Sequence, residues 1–239
     1  MSSRSRYPVI YAALVHVLTA SGAVLALLSL LAASAGRYEE CFAFLGAALV
    51  VDGIDGPLAR RFDVKRLLPR FSGEDLDKII DYLTYVTIPA FLLATGGFMP
   101  DGFAYVAGSV VMLSSLYHFS DQQSKTPDGY FVGFPAIWNL VVFYLLVVPV
   151  PSSLGFAIIM ILAALTFVPL KWIHPVRVRR LRPVTFALMG LWGVAAILAL
   201  VQGLPGSPAV QAILVIVLIY GLALGLSAGW ARPARQPAE

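Results

Sequence analysis

Cysteine occurs once in the 239 residues, at Cys41, and histidine three times. A lone thiol excludes an internal disulfide, and Cys41 sits in an apolar stretch where it reads as a small buried hydrophobe. Charge is scarce too: Asp, Glu, Lys and Arg make up 13% of the chain, against roughly a quarter in an ordinary soluble domain. Internal repeats, low-complexity tracts and a separate polar domain are also missing, so the sequence offers no soluble accessory function. The Pro/Gly-rich stretches "QGLPGSP" and "ARPARQPAE" read as a short external loop and a frayed terminus.

What is present is apolar length. Hydrophobic residues are 59% of the chain and the mean hydropathy is +0.83. They fall in eight blocks, at 9-33, 39-59, 74-98, 103-120, 134-150, 153-170, 184-202 and 208-229. Each approaches the roughly 20 residues a helix needs to cross about 30 Å of hydrocarbon. Runs such as "AVLALLSLLAA" are apolar throughout, without the alternation of outer-membrane strands. The expected fold is all-α, a polytopic bundle of about eight transmembrane helices forming one integral-membrane domain over 1-239. The first block is too long for a signal peptide and reads as a retained span.

Basic residues set the orientation. Arg4, Arg6, the Arg60–Arg70 cluster, Lys125, the Lys171–Arg182 cluster, Arg232 and Arg235 share one side, with Arg37 alone on the other. Both termini are therefore expected in the cytoplasm of a bacterial inner membrane. The pI of 9.3 reflects this asymmetry and anionic headgroups, not a nucleic-acid partner.

The acids are concentrated. Of thirteen carboxylates, seven lie between Asp52 and Asp81. In "VDGIDGPLARR" Asp52 and Asp55 are three apart at the end of the second block, and in "GEDLDKIID" Asp77 and Asp81 are four apart at the start of the third. Each pair thus shares a helical face, and two adjacent helices can aim four carboxylates into one space. Like charges beside hydrocarbon cost several kcal/mol each to desolvate and need cations. Hard oxygen donors point to one or two Mg2+ or Mn2+ ions and away from zinc. One acid pair alone would be read as pairing with Arg60, Arg61, Lys65 or Lys78; two converging pairs favour a functional site. Gly53, Gly56 and Gly73 let backbone approach a ligand, Ala59 keeps the same face clear, and Arg60 offers a fork for phosphate. Together these describe a pocket for a metal-bound diphosphate.

Taken as a set, Asp52-x-x-Asp55-Gly56-x-x-Ala59-Arg60 and Gly73-x-x-x-Asp77-x-x-x-Asp81 resemble the signature of the CDP-alcohol phosphotransferases, all eight defining positions being present. The run from Arg61 to Ser72 is longer than in many members. "LDKIIDYLTYV", "GFPAIWNLVVF" and "FVPLKWIHPVRVRRLRP" extend the resemblance over nearly the whole chain, towards the bacterial members that form phosphatidylcholine. The resemblance implies transfer of a phosphatidyl group from CDP-diacylglycerol to choline with release of CMP. It implies metal ligation by Asp52, Asp55 and Asp77 with Asp81 contributing, Asp81 as the base, and a homodimer. Gly56, Ala59, Arg60 and Gly73 would shape the CDP and phosphate side, with Thr19 and Ser21 as further candidates.

A quaternary ammonium has no N–H to donate and is held by aromatic faces. Tyr82, Tyr85, Tyr117, His118 and Trp138 are the candidates for choline, Tyr85 favoured because it lies four beyond Asp81. Each also suits an interfacial belt. His174 and Arg177 are candidates for the lipid phosphate, in a loop that the positive-inside bias alone also explains. His16 reads as a packed polar residue. Two rivals stand beside this reading: the same chemistry with another alcohol, and a cation or choline transporter using the acids as a relay. A transporter would place acids near the midplane, often within repeats, whereas these lie at the ends of spans.

Overall fold

The computed structural model describes residues 9–126, 130–172, 182–227 and 229. The chain divides into two compact units, residues 1–88 and 89–239. In chain order the elements are α1 (Val9–Ser34), α2 (Tyr38–Arg61), α3 (Val64–Leu67), α4 (Gly73–Asp81), a π-helical turn (Tyr82–Thr87), α5 (Ile88–Thr95), α6 (Ala104–Ser120), β1 (Phe131–Val132), α7 (Trp138–Val147), α8 (Ser152–Leu165), β2 (Lys171–Trp172), α9 (Arg182–Gln202) and α10 (Pro208–Leu226).

All eight apolar blocks carry helix, and the protein is a multi-pass membrane protein. Among the described residues, five helical stretches are long and apolar enough to cross by themselves: Val9–Ser34, Tyr38–Arg61, Gly73–Thr95, Pro183–Gln202 and Pro208–Gly225. The other three are shorter than the blocks suggest, at 17, 10 and 14 residues for α6, α7 and α8. The fifth block, 134–150, loses the most. Its first residues are irregular, with Ala136 after Pro135 at positive φ, as is Gly133 just before the block, and Pro149 and Pro151 follow its helix.

In the first unit α1 is the organising helix. Its buried positions Ala12, Val15, Thr19, Gly22, Ala26, Ser29 and Ala33 advance by alternating steps of three and four, which puts them on one stripe. Nearly all are small, the composition by which membrane helices approach closely where lipid offers no hydrophobic drive. Ser29 Oγ donates to the Cys41 carbonyl of α2 at 3.0 Å, and a Cβ on Gly22 would stand 2.5 Å from Ile80 Cγ2 of α4. The lengthened run after Arg61 folds into the short α3, entered through Asp63 at φ 55°. Val64 joins Ala12 and Val15 in a cluster packed by Leu58, Ala59, Phe62, Leu67 and Leu68, and Tyr11 stacks on Phe62 at 5.5 Å. Helix α4 opens on Ser72, whose Oγ accepts from the Asp75 amide at 3.1 Å, with Glu74 and Asp75 in its first turn.

Within the second unit β1 and β2 pair antiparallel, Phe131 with Trp172 and Val132 with Lys171. A Cβ on Gly133 would collide with the Thr166 carbonyl, so this crossing of chains admits only glycine. Helices α7, α9 and α10 are tied by Tyr144 Oη, which donates to the Leu214 carbonyl at 2.8 Å and accepts from Trp192 Nε1 at 3.0 Å.

Candidate metal centre

Asp52 and Asp55 extend a packing face. On α2 the residues Cys41, Leu45, Ala48 and Asp55 are buried, and Asp52 falls on the same stripe between Ala48 and Asp55. Asp55 is only 6% exposed, a burial far outside the habit of carboxylates. Helix α4 supplies Asp77. One carboxylate oxygen from each of Asp52, Asp55 and Asp77 can be chosen so that all three lie within 4.8 Å of one another. Asp81, half-buried and one turn beyond Asp77, is not among these three.

The side-chain hydrogen bonds to Asp52 and Asp55 come from neutral hydroxyls, and Asp55 also accepts one from the Gly56 backbone. Thr19 Oγ1 donates to Asp55 Oδ2 at 2.7 Å, and Tyr85 Oη donates to Asp52 Oδ2 at 2.7 Å. Nearby cations are engaged elsewhere: Lys78 with Glu74 at 3.8 Å and Arg66 with Asp63. Among the described residues neither Asp52 nor Asp55 has an ion-pair partner, so salt bridging to Arg60, Arg61, Lys65 or Lys78 does not account for their burial. Hydroxyl donors stabilise a carboxylate without neutralising it. Two clustered acids with one more at hand therefore fit a hard divalent cation by the chemistry of the donor set.

Tyr85 reaches Asp52 through the π-helical turn. Thr87 Oγ1 donates to the Tyr82 carbonyl five residues back, at 3.1 Å. A π turn takes more residues than an α turn, which brings Tyr85 back towards the acidic face. Such turns concentrate at functional sites.

The remaining candidates are placed as follows. The Arg60 guanidinium folds over Gly56, with Nη1 3.5 Å from where a Cβ would stand. Ala59 packs in the cluster with Ala12, Val15 and Val64. Gly73 lies against His16, whose Cε1 is 3.1 Å from the Cβ position, while His16 Nε2 is buried without a hydrogen-bond partner among the described residues. Ser21 Oγ donates to the Leu18 carbonyl at 2.6 Å within its own helix. Tyr82 is half-buried at the start of the π turn. Tyr117, His118 and Trp138 belong to the second unit. Tyr117 is exposed with its ring 4.6 Å from that of Phe167, and His118 is buried with an edge towards Phe119. Trp138 is fully buried, its Nε1 donating to Ser115 Oγ at 2.8 Å. His174 and Arg177 lie outside the described residues.

Sequence reasoning gives Thr19 to the nucleotide side and Tyr85 to the ammonium; it misses their bonds to the acids. The signal was in the spacing. Thr19 lies on the small-residue stripe of α1, and Asp77, Asp81 and Tyr85 follow one another in steps of four.

A multi-helix membrane scaffold with buried and half-buried carboxylates gathered at the adjoining ends of two spans is the architecture of a membrane enzyme whose acids could hold a metal ion. The chain belongs to the CDP-alcohol phosphatidyltransferase family, which matches residues 11–173, and it is a transferase of phospholipid synthesis. It is similar to proteins named phosphatidylcholine synthase. That of Mesorhizobium japonicum is 50% identical over 188 residues, 79% of this chain and 70% of that protein. That of Brucella melitensis is 48% identical over 186 residues, 78% and 67% of the two chains. The Pseudomonas aeruginosa protein is 45% identical over 188 residues, 79% of each.

Proposed function

We propose that this enzyme transfers the phosphatidyl group of CDP-diacylglycerol to choline, releasing CMP, and that it does so with Mg2+ or Mn2+. The observation that carries the reading is the group formed by Asp52, Asp55 and Asp77, with oxygens within 4.8 Å and no protein cation on Asp52 or Asp55 among the described residues. The names of the relatives support the choice of phosphatidylcholine as product.

Asp52, Asp55 and Asp77 would hold one or two divalent ions, with Asp81 at the edge of the set. A bound cation supplies charge neutralisation to the diphosphate and to the departing CMP. Arg60, folded over Gly56, faces the phosphate side with Ala59 and Gly73, and Thr19 and Ser21 border it from α1. Asp81 accepts the proton of the choline hydroxyl as its oxygen attacks the phosphatidyl phosphorus. The bond from that phosphorus to the CMP oxygen breaks, CMP leaves, and phosphatidylcholine remains. Tyr82 presents its ring beside Asp81 for the quaternary ammonium, and Tyr85, Tyr117, His118 and Trp138 are further candidates. His174 and Arg177 are assigned to the lipid phosphate. The protein is assigned to the bacterial inner membrane with both termini cytoplasmic, as a homodimer.

The test is incubation of purified protein with CDP-diacylglycerol, choline and Mn2+ in detergent, with mass spectrometry of the lipid product. Phosphatidylcholine and equimolar CMP are expected, both lost with EDTA. CMP released only with serine or glycerol phosphate would replace choline as acceptor; absence of CMP under every acceptor, with choline uptake in vesicles, would favour transport.

A further inference from the structure

We propose that Thr19 and Tyr85 act as positioning residues that set the cation preference of the centre, holding Asp55 and Asp52 to single-oxygen ligation and so favouring Mg2+ or Mn2+ over Ca2+. The inference rests on the metal reading above and goes beyond it to selectivity. Three observations support it. Each carboxylate has Oδ2 engaged at 2.7 Å by a hydroxyl. Each hydroxyl comes from a different element than its acid: Thr19 from α1 and Tyr85 from the π turn, while both acids stand on α2. Both donors are buried, Thr19 at 7% and Tyr85 at 9% exposure, so water does not readily replace them if the bond is broken.

The chemistry follows from ion size. Ca2+ gathers six to eight oxygens at about 2.3–2.6 Å and commonly takes both oxygens of a carboxylate, whereas Mg2+ keeps octahedral order at about 2.0–2.1 Å. An oxygen that accepts a short bond from a buried hydroxyl keeps a lone pair for a metal, but the bond fixes how its carboxylate is turned, and turning it to chelate a large ion through both oxygens stretches that bond. The two hydroxyls thus penalise the larger ion and leave single-oxygen ligation undisturbed. Tyr85 is the stiffer of the two, a ring buried to its edge; Thr19 shares its proton with the Val15 carbonyl at 3.3 Å, a longer and weaker alternative.

The experiment measures Mn2+ binding to the purified full chain by electron paramagnetic resonance of the free ion, then Ca2+ competition. It compares the parent with Tyr85→Phe, Thr19→Val and Thr19→Ser, each checked by thermal melting in detergent. Tyr85→Phe and Thr19→Val are expected to weaken Mn2+ binding by about 10-fold or more, the range of outer-shell substitutions, and to lower the ratio of Ca2+ to Mn2+ dissociation constants. Thr19→Ser, which restores a hydroxyl, is expected to keep the parental ratio. A parental ratio in both Tyr85→Phe and Thr19→Val overturns the proposal, as does a Thr19→Ser protein that behaves like Thr19→Val. Asp52→Asn and Asp77→Asn separate the two levels: if they bind Mn2+ like the parent, the metal reading itself falls, and if they lose Mn2+ while the hydroxyl variants keep the parental ratio, only the selectivity falls.

Discussion

The two units bury polar groups in different ways. In the second, Tyr144, Trp192 and the Leu214 carbonyl bond to one another, and Thr185 Oγ1 meets Tyr220 Oη at 2.9 Å; every one of these groups is neutral and supplied with a partner. In the first, Thr19 and Tyr85 donate to Asp55 and Asp52, and the hydrogen bonds are just as short, yet the negative charge is left over. A closed neutral network fixes helices to each other. A network that ends in uncompensated charge fixes helices and also keeps an appetite for a cation. The comparison separates polar networks that are neutral and closed from one that ends in carboxylates able to hold a cation.

The comparison breaks most sharply at the acids. Asp52→Asn or Asp77→Asn is expected to leave no measurable CMP release, and EDTA is expected to do the same to the parent protein. Metal-independent turnover would erase the distinction between the two units. Next comes Asp81→Asn, which keeps size and loses the proton acceptor. CDP-diacylglycerol should bind with near-normal affinity while turnover falls about 10²–10⁴-fold; loss of binding in parallel would make Asp81 a fourth ligand. Tyr82→Ala should raise the choline KM by about 2- to 30-fold, matching about 0.5–2 kcal/mol for one cation–π contact, with the CDP-diacylglycerol KM unchanged. The smallest effect belongs to the second unit: Thr185→Val should cost about 0.6 kcal/mol of stability in a denaturation experiment, the mean for membrane interhelical hydrogen bonds, and leave both KM values alone.

The helices were legible because apolar blocks of membrane length have few other readings; α7 came out short because the prolines around it act on backbone that hydropathy does not register. The β1–β2 pair was not legible, since strands of two residues offer no alternation to read. At the centre, Asp52, Asp55 and Asp77 stood out because acid in an apolar chain demands a cause. Thr19 and Tyr85 did not, because hydroxyls are ordinary in apolar helices and their choice of acid depends on interhelical distance. His16 reads from the sequence as a packed polar residue, and in the structure its ring packs against Gly73 with Nε2 buried.

Gly22 acts as a mechanical stop between α1 and α4. The absent side chain lets Ile80 of α4 rest directly on α1, and Ile80 is three residues from Asp77 on the same short helix; Thr19, which bonds Asp55, is three residues from Gly22 on the other. The tolerance with which the acid of one helix meets the acids of another is thus inherited from a contact at which no acid takes part. Reactive groups must be located to within about 0.5 Å to work, and a single methyl at Gly22 exceeds that margin. The clearance is machined into a residue that carries no chemistry of its own, so damage there would surface as a loss of fit between parts that are each still intact.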